Sequence, residues 1–207
     1  MSGGPSLTTD AIVLRTWPPA DSFQAFTVFT PGHGTLRILQ RLPGKKPSAA
    51  HLALDLFDEV ALLLEGTASG DAWFVKEARL LTRHAGIGRR YESLLHASAF
   101  ASLVARNPGA DESHPAIHAL LRTAFAAFAS SGRPDIVHLK SLYRFARDEG
   151  HPLKQQWFPA LPAADRPLAV ALINQPLATQ TTPPADVTRL LRRLEDYLRQ
   201  HTEIRLD

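Results

Sequence analysis

The 207-residue chain carries 23 Lys/Arg against 20 Asp/Glu, and its 44% hydrophobic residues suffice for an ordinary globular core, which excludes global disorder. It has no cysteine, so disulfides, a thiol nucleophile and every cysteine-ligated zinc or iron–sulfur site are excluded. No run approaches the roughly 20 apolar residues that span a bilayer, and Met1 to Asp10 lacks the basic start and apolar stretch of a signal peptide, so a cytoplasmic location is expected.

Residues 1–83 read as strands. Ala11-Ile12-Val13-Leu14 is a short apolar run, extended by Thr16 and Trp17 to the turn Pro18-Pro19-Ala20-Asp21. Phe23 to Thr30 is rich in aromatic and β-branched residues, with Phe26, Val28 and Thr30 on one face and Thr27 and Phe29 on the other. Pro31-Gly32-His33-Gly34 is a tight-turn signal that makes this segment and the next a hairpin. Leu36, Ile38 and Gln40 then alternate with Arg37, Leu39 and Arg41, and Pro43 to Ser48 reads as loop. Leu54 to Glu65 and Ala72 to Thr82 supply two more apolar segments. Five short strands with turns between them suggest a small closed barrel of the OB type, a fold that binds oligonucleotides on one face and through its longer loops.

From residue 84 the period becomes helical. Helices are expected from Arg89 to the stop Asn107-Pro108-Gly109, from Pro115 to Ser130, and from Asp135 to Glu149, with a short one over Leu168 to Leu177. The last is expected to start at Thr182 as N-cap with Pro183 at the first position, and to place Val187, Leu190, Leu191, Leu194, Tyr197 and Leu198 on one face. Pro159 to Pro167 reads as a Pro/Ala-rich connection. The expectation is therefore an α+β chain: an N-terminal five-stranded OB-fold barrel over 1–83 and an all-α helical bundle over 84–207.

Catalytic patterns are absent. Gly32-His33-Gly34 lacks the third glycine of a dinucleotide fingerprint and precedes a strand, and no Walker-type sequence occurs. His114 and His118 lie four apart, as metal ligands on a helix do, but Pro115 stands where a zinc hydrolase carries its glutamate. The blander reading of that pair is a helix-start histidine and a surface or packed one. No serine sits in a nucleophile elbow, and the adjacent acids Asp58-Glu59, Asp111-Glu112 and Asp148-Glu149 are of a kind usually solvated. Neither an enzyme nor a cofactor is expected.

The basic residues carry more. Residues 1–83 hold eight Lys/Arg and eight Asp/Glu, yet the signs are separated: no acid lies between Asp21 and Asp55, where Arg37, Arg41, Lys45 and Lys46 all occur. Arg37 and Arg41 share a strand face and Lys45 and Lys46 continue from its end, which offers four cations to a phosphate backbone. A solvated turn is the alternative. In the third helix Lys140, Arg144 and Arg147 form a stripe preceded by Arg133, again a nucleic-acid track or an ordinary solvated face. In the last helix, Glu195 with Arg199 and Arg192 with Asp196 make natural pairs, so its arginines read as structural. Trp17 and Phe23, beside a loop, are base-stacking candidates, whereas Phe26 reads as core.

Three stretches together resemble the N-terminal signature of the RecO recombination mediators. They are Asp10-Ala11-Ile12-Val13-Leu14-Arg15, then Phe26-Thr27-Val28-Phe29-Thr30-Pro31-Gly32-His33-Gly34, then Arg41-Leu42-Pro43-Gly44-Lys45-Lys46-Pro47-Ser48. Tyr91 to Leu95 and Leu142 to Gly150 agree with the family in layout. The resemblance implies an OB-fold followed by a helical bundle, in a bacterial, nucleoid-associated protein. It also implies binding of single- and double-stranded DNA, strand annealing, and recombinase loading with RecR on strands coated by single-stranded-DNA-binding protein, whose acidic tail would be a partner. The chain departs from the pattern in three places. It has no cysteine where many members carry four after the position of Gly150, so zinc is not expected; Phe23 replaces the second acid after the first turn; and Leu39-Gln40-Arg41-Leu42 keeps the start of the basic loop only in part. An interaction adaptor with the same fold and weakened DNA contact is the rival reading. A His114/His118 metal hydrolase would be a third, and it predicts bound metal after purification.

Overall fold

The computed structural model describes residues 4–20, 22–43, 52–67 and 70–206. The chain is α+β, a five-stranded sheet followed by six α-helices among the described residues. The strands are β1 (Ser6–Thr16), β2 (Phe23–Thr30), β3 (Gly34–Arg41), β4 (Glu59–Gly66) and β5 (Trp73–Thr82). The helices are α1 (Tyr91–Arg106), α2 (His114–Ser130), α3 (Pro134–Asp148), α4 (Trp157–Ala160), α5 (Asp165–Asn174) and α6 (Pro184–His201). The expected boundary at 83/84 separates strands from helices. By compactness, residues 1–84 and 108–122 form one unit, and residues 85–107 and 123–207 the other. The first nine residues of α2 thus belong with the strands.

The strands close a ring in the order β1-β2-β3-β5-β4, with β4 paired back to β1. Every pairing is antiparallel except the short parallel one of β3 with β5, at Ile38 with Trp73 and Leu39 with Phe74. Strand alternation sends Val13, Phe26, Val28, Ile38, Val60, Leu62 and Leu64 inward, all buried in one apolar cluster. Each such side chain contributes about 1.5–3 kcal/mol by leaving water. Gln40 also points in, at 7% exposure, and is satisfied there: its Nε2 donates to the Leu52 carbonyl at 2.6 Å, and its Oε1 accepts from the Leu54 amide.

The outward face of Ile12 and Phe29 is covered by the start of α2. The His114 ring meets Phe29 edge-on at 5.7 Å, and Arg122 Nε donates to Glu59 at 2.6 Å. Gly34 makes this approach possible. Its φ is +58°, and a Cβ there would lie 2.6 Å from His114 Nε2.

In the second unit α3 is the hub, contacting α1, α5 and α6. The six apolar residues expected on one face of α6 are all buried.

Four sequence expectations need correction. The fourth strand begins at Glu59, because residues 55–58 form a turn closed by the buried Asp58 carboxylate, which accepts from the Asp55 amide at 2.9 Å. Thr182 is not a cap. The residue before α6 is Pro183, with no side-chain cap, and the Thr182 carbonyl instead accepts from Arg133 Nη2 at 2.8 Å. The Pro159–Pro167 connection overlaps the end of α4 and the start of α5, because Trp157, 2% exposed, anchors the chain against Tyr143 and Phe158. In α6 the expected pair of Arg192 with Asp196 gives way to Arg199 with Asp196 at 3.2 Å, and Arg189 and Arg193 both bind the buried Asp165 at 2.9 Å.

Candidate nucleic-acid interface

The outer face of β1, β2 and β3 gathers cations and aromatics in one place. Arg15, Thr27 and Arg37 are cross-strand partners in a row, and Phe23 is the partner of Arg41. Cross-strand partners share a face, and alternation puts Arg37, Leu39 and Arg41 on the same side of β3. Arg15, Arg37 and Arg41 are exposed, and none of the three makes an ion pair among the described residues. Trp17 lies on this face, its Nε1 donating to Thr27 Oγ1 at 3.1 Å, with the Arg15 guanidinium 3.9 Å above its ring. That stacking orients the arginine without neutralising it. Phe23 is half-buried against Phe74 of β5, with centroids 5.3 Å apart. Beside them lies a groove of about 860 Å³ lined by Phe23, Gln40, Arg41, Leu52 and residues Phe74 to Ala78.

Of the residues singled out in the sequence, Arg37, Arg41, Trp17 and Phe23 therefore meet on one surface. Lys45 and Lys46 lie outside the described residues. The other four are engaged within the helical unit. Arg133 grips Asp135 with two bonds of 2.8 and 3.1 Å and donates to the Thr182 carbonyl. Lys140 Nζ donates to the carbonyls of Leu172, Ile173 and Gln175 at 2.8–3.0 Å, capping the C-terminus of α5, and partial burial lowers its pKa. Arg144 and Arg147 both pair with Asp148, at 3.4 and 2.6 Å. A single carboxylate thus answers two of the three cations of the stripe.

Two contributors were missed in the sequence. Arg15 stands two residues after the inward Val13 and alternation would place it inside. A register shift between Val13 and Arg15 turns it outward instead. Phe74 reaches Phe23 only through the parallel pairing of β3 with β5, for which the sequence offers no signal.

Three of the described histidines, His114, His118 and His138, are buried. His114 and His118 are 4% and 8% exposed, and burial lowers the pKa of His118 against the pull of Glu59. Among the described residues no group of three or more His, Asp or Glu is placed to hold a metal. His96 and His138 face each other with Nδ1 atoms 3.0 Å apart, and burial pushes His138 down to about 3. No helix among the described residues is long and apolar enough to cross a membrane. No family model and no curated protein matches the chain.

Proposed function

We propose that the chain binds nucleic acid through the outer face of β1, β2 and β3, as a RecO-like recombination mediator without a zinc finger. The observation that carries the reading is the row of three exposed arginines, Arg15, Arg37 and Arg41, left without carboxylate partners and interleaved with Trp17, Phe23 and Phe74. Guanidinium groups in this density suit phosphates at successive positions of a strand, and the rings suit bases. The ring order of the strands, with β3 parallel to β5, supports an OB-fold, and the helices around α3 support a helical-bundle second domain. Lys45 and Lys46 follow Arg41 in sequence and add two cations to the same basic segment. On this reading binding is sequence-tolerant, serves single and double strands, and underlies annealing and recombinase loading with RecR on strands coated by single-stranded-DNA-binding protein.

The test is anisotropy titration of a labelled oligonucleotide at low salt. The triple variant R15A/R37A/R41A should lose at least tenfold in affinity, and R144A/R147A should bind like the parent, since that pair is held by Asp148. Equal affinity of the triple variant and the parent would remove the site.

One observation favours the adaptor reading. Tyr91, Leu94 and Leu95 of α1 are 74%, 38% and 48% exposed at helical spacing, an apolar stripe suited to a protein partner. An intact fold with no oligonucleotide bound at low salt would select that reading.

A further inference from the structure

The groove beside the arginine row has two unlike rims. On β3 stands Arg41, with Arg37 further along the same face. On β5 stand Lys76, ion-paired with Glu65 of β4, and the exposed Glu77, so the described residues of that rim offer no unpaired cation to the groove. A phosphodiester laid against this rim would meet an ammonium already paired with Glu65, and the carboxylate of Glu77. Laid along β3 it meets unpaired guanidinium groups.

Between the rims the lining changes character. Phe23 and Phe74 present tilted rings, their planes 46° apart, and Leu52 and Val75 extend the apolar surface. The opening of about 860 Å³ falls in the range of clefts that take small organic ligands, roughly 300–1,000 Å³. A strand held by its phosphates on the β3 rim can turn a base into this space only if that base is free of a complement. In a duplex both π faces are already stacked and the pairing edge is occupied.

We infer that the groove holds an unpaired base against the Phe23–Phe74 pair, and so makes this face selective for single strands over duplex. The inference rests on the nucleic-acid reading of the same face. The arginines hold either form of the polymer, and the two rings supply the discrimination.

Anisotropy titrations of the full chain with a mixed-sequence single strand, and with the matching duplex, test it. F74L and F23L keep an apolar side chain but remove the ring. Each should weaken single-strand binding about tenfold, the scale of one lost base stack, and leave duplex binding unchanged. F74W keeps a ring and reports on it directly: single-strand affinity should be retained, and the added indole fluorescence should be quenched by the single strand and not by the duplex. An unchanged preference in F74L and F23L, an equal loss on both forms, or no quenching of F74W overturns the inference. R37A/R41A separates the two claims. If that variant loses both forms while F74L and F23L change nothing, the stacking site fails and the binding face stands; if none of these variants changes binding, both fail.

Discussion

Lys140 shows how far a side chain's role depends on what faces it. Its spacing with Arg144 and Arg147 is legible in the sequence, but the carbonyls it caps lie 32 to 35 residues further on and belong to α5. No local pattern announces such a partner. Lys140→Met should therefore cost about 1–2 kcal/mol of stability in urea unfolding, the range for charge-assisted hydrogen bonds at a partly exposed site, with oligonucleotide affinity unchanged. His138 makes a second residue-scale case. Burial on α3 and the neighbouring His96 keep it neutral in the fold down to about pH 3, while an unfolded histidine takes a proton near pH 6.5. Asp135 and Glu92 face His96 and pull its pKa up, yet desolvation prevails and lowers it. Because the unfolded state binds the proton first, stability is fully present above about pH 6.5 and is lost as the pH falls from there toward 3. Denaturation at pH 7.5 and pH 5 should differ by about 2 kcal/mol from His138 alone. His138→Phe should remove that part of the difference.

At the scale of elements, strands and helices follow from period and turn residues, and most of their bounds could be read directly. Alternation in β2 and β3 predicts the phase of Arg37, Arg41 and Phe23 correctly, since these strands pair without a register shift. It fails for Arg15, because one displaced residue in β1 reverses the phase. It cannot supply Phe74 either, whose place depends on β5 meeting β3 in parallel across a long separation. The same limit hides why the turn before β3 ends in glycine. A hairpin accounts for a glycine in general, but Gly34 must also admit His114 from α2, some eighty residues later. Gly34→Ala combines a left-handed backbone with a 2.6 Å clash, and should cost about 2–4 kcal/mol in chemical denaturation. A change within about 0.5 kcal/mol, the scale of an unconstrained surface site, would show that the turn and α2 are not packed as described.

At the scale of the whole molecule, net charge is a poor guide and its partition is a good one. The chain's +3 is small, and many of its helical cations are matched within the fold: Arg133 by Asp135, Arg144 and Arg147 by Asp148, Arg189 and Arg193 by Asp165. On the outer face of β1, β2 and β3, what stands without an ion pair among the described residues is the row Arg15, Arg37 and Arg41. Segregation of signs along residues 1–83 pointed to this region, whereas the pairing that silences the α3 stripe needed the three-dimensional arrangement. The measurement that tests the account most directly is the salt dependence of binding to a single-stranded oligonucleotide, for the parent chain and R15A/R37A/R41A. Each phosphate contact contributes about −0.7 to the slope of log affinity against log salt on a single strand, so losing three should flatten the slope by about 2. A parent chain that binds with a steep slope, and a triple variant with the flatter one, is the predicted result. A triple variant with the parent's slope and affinity would contradict it.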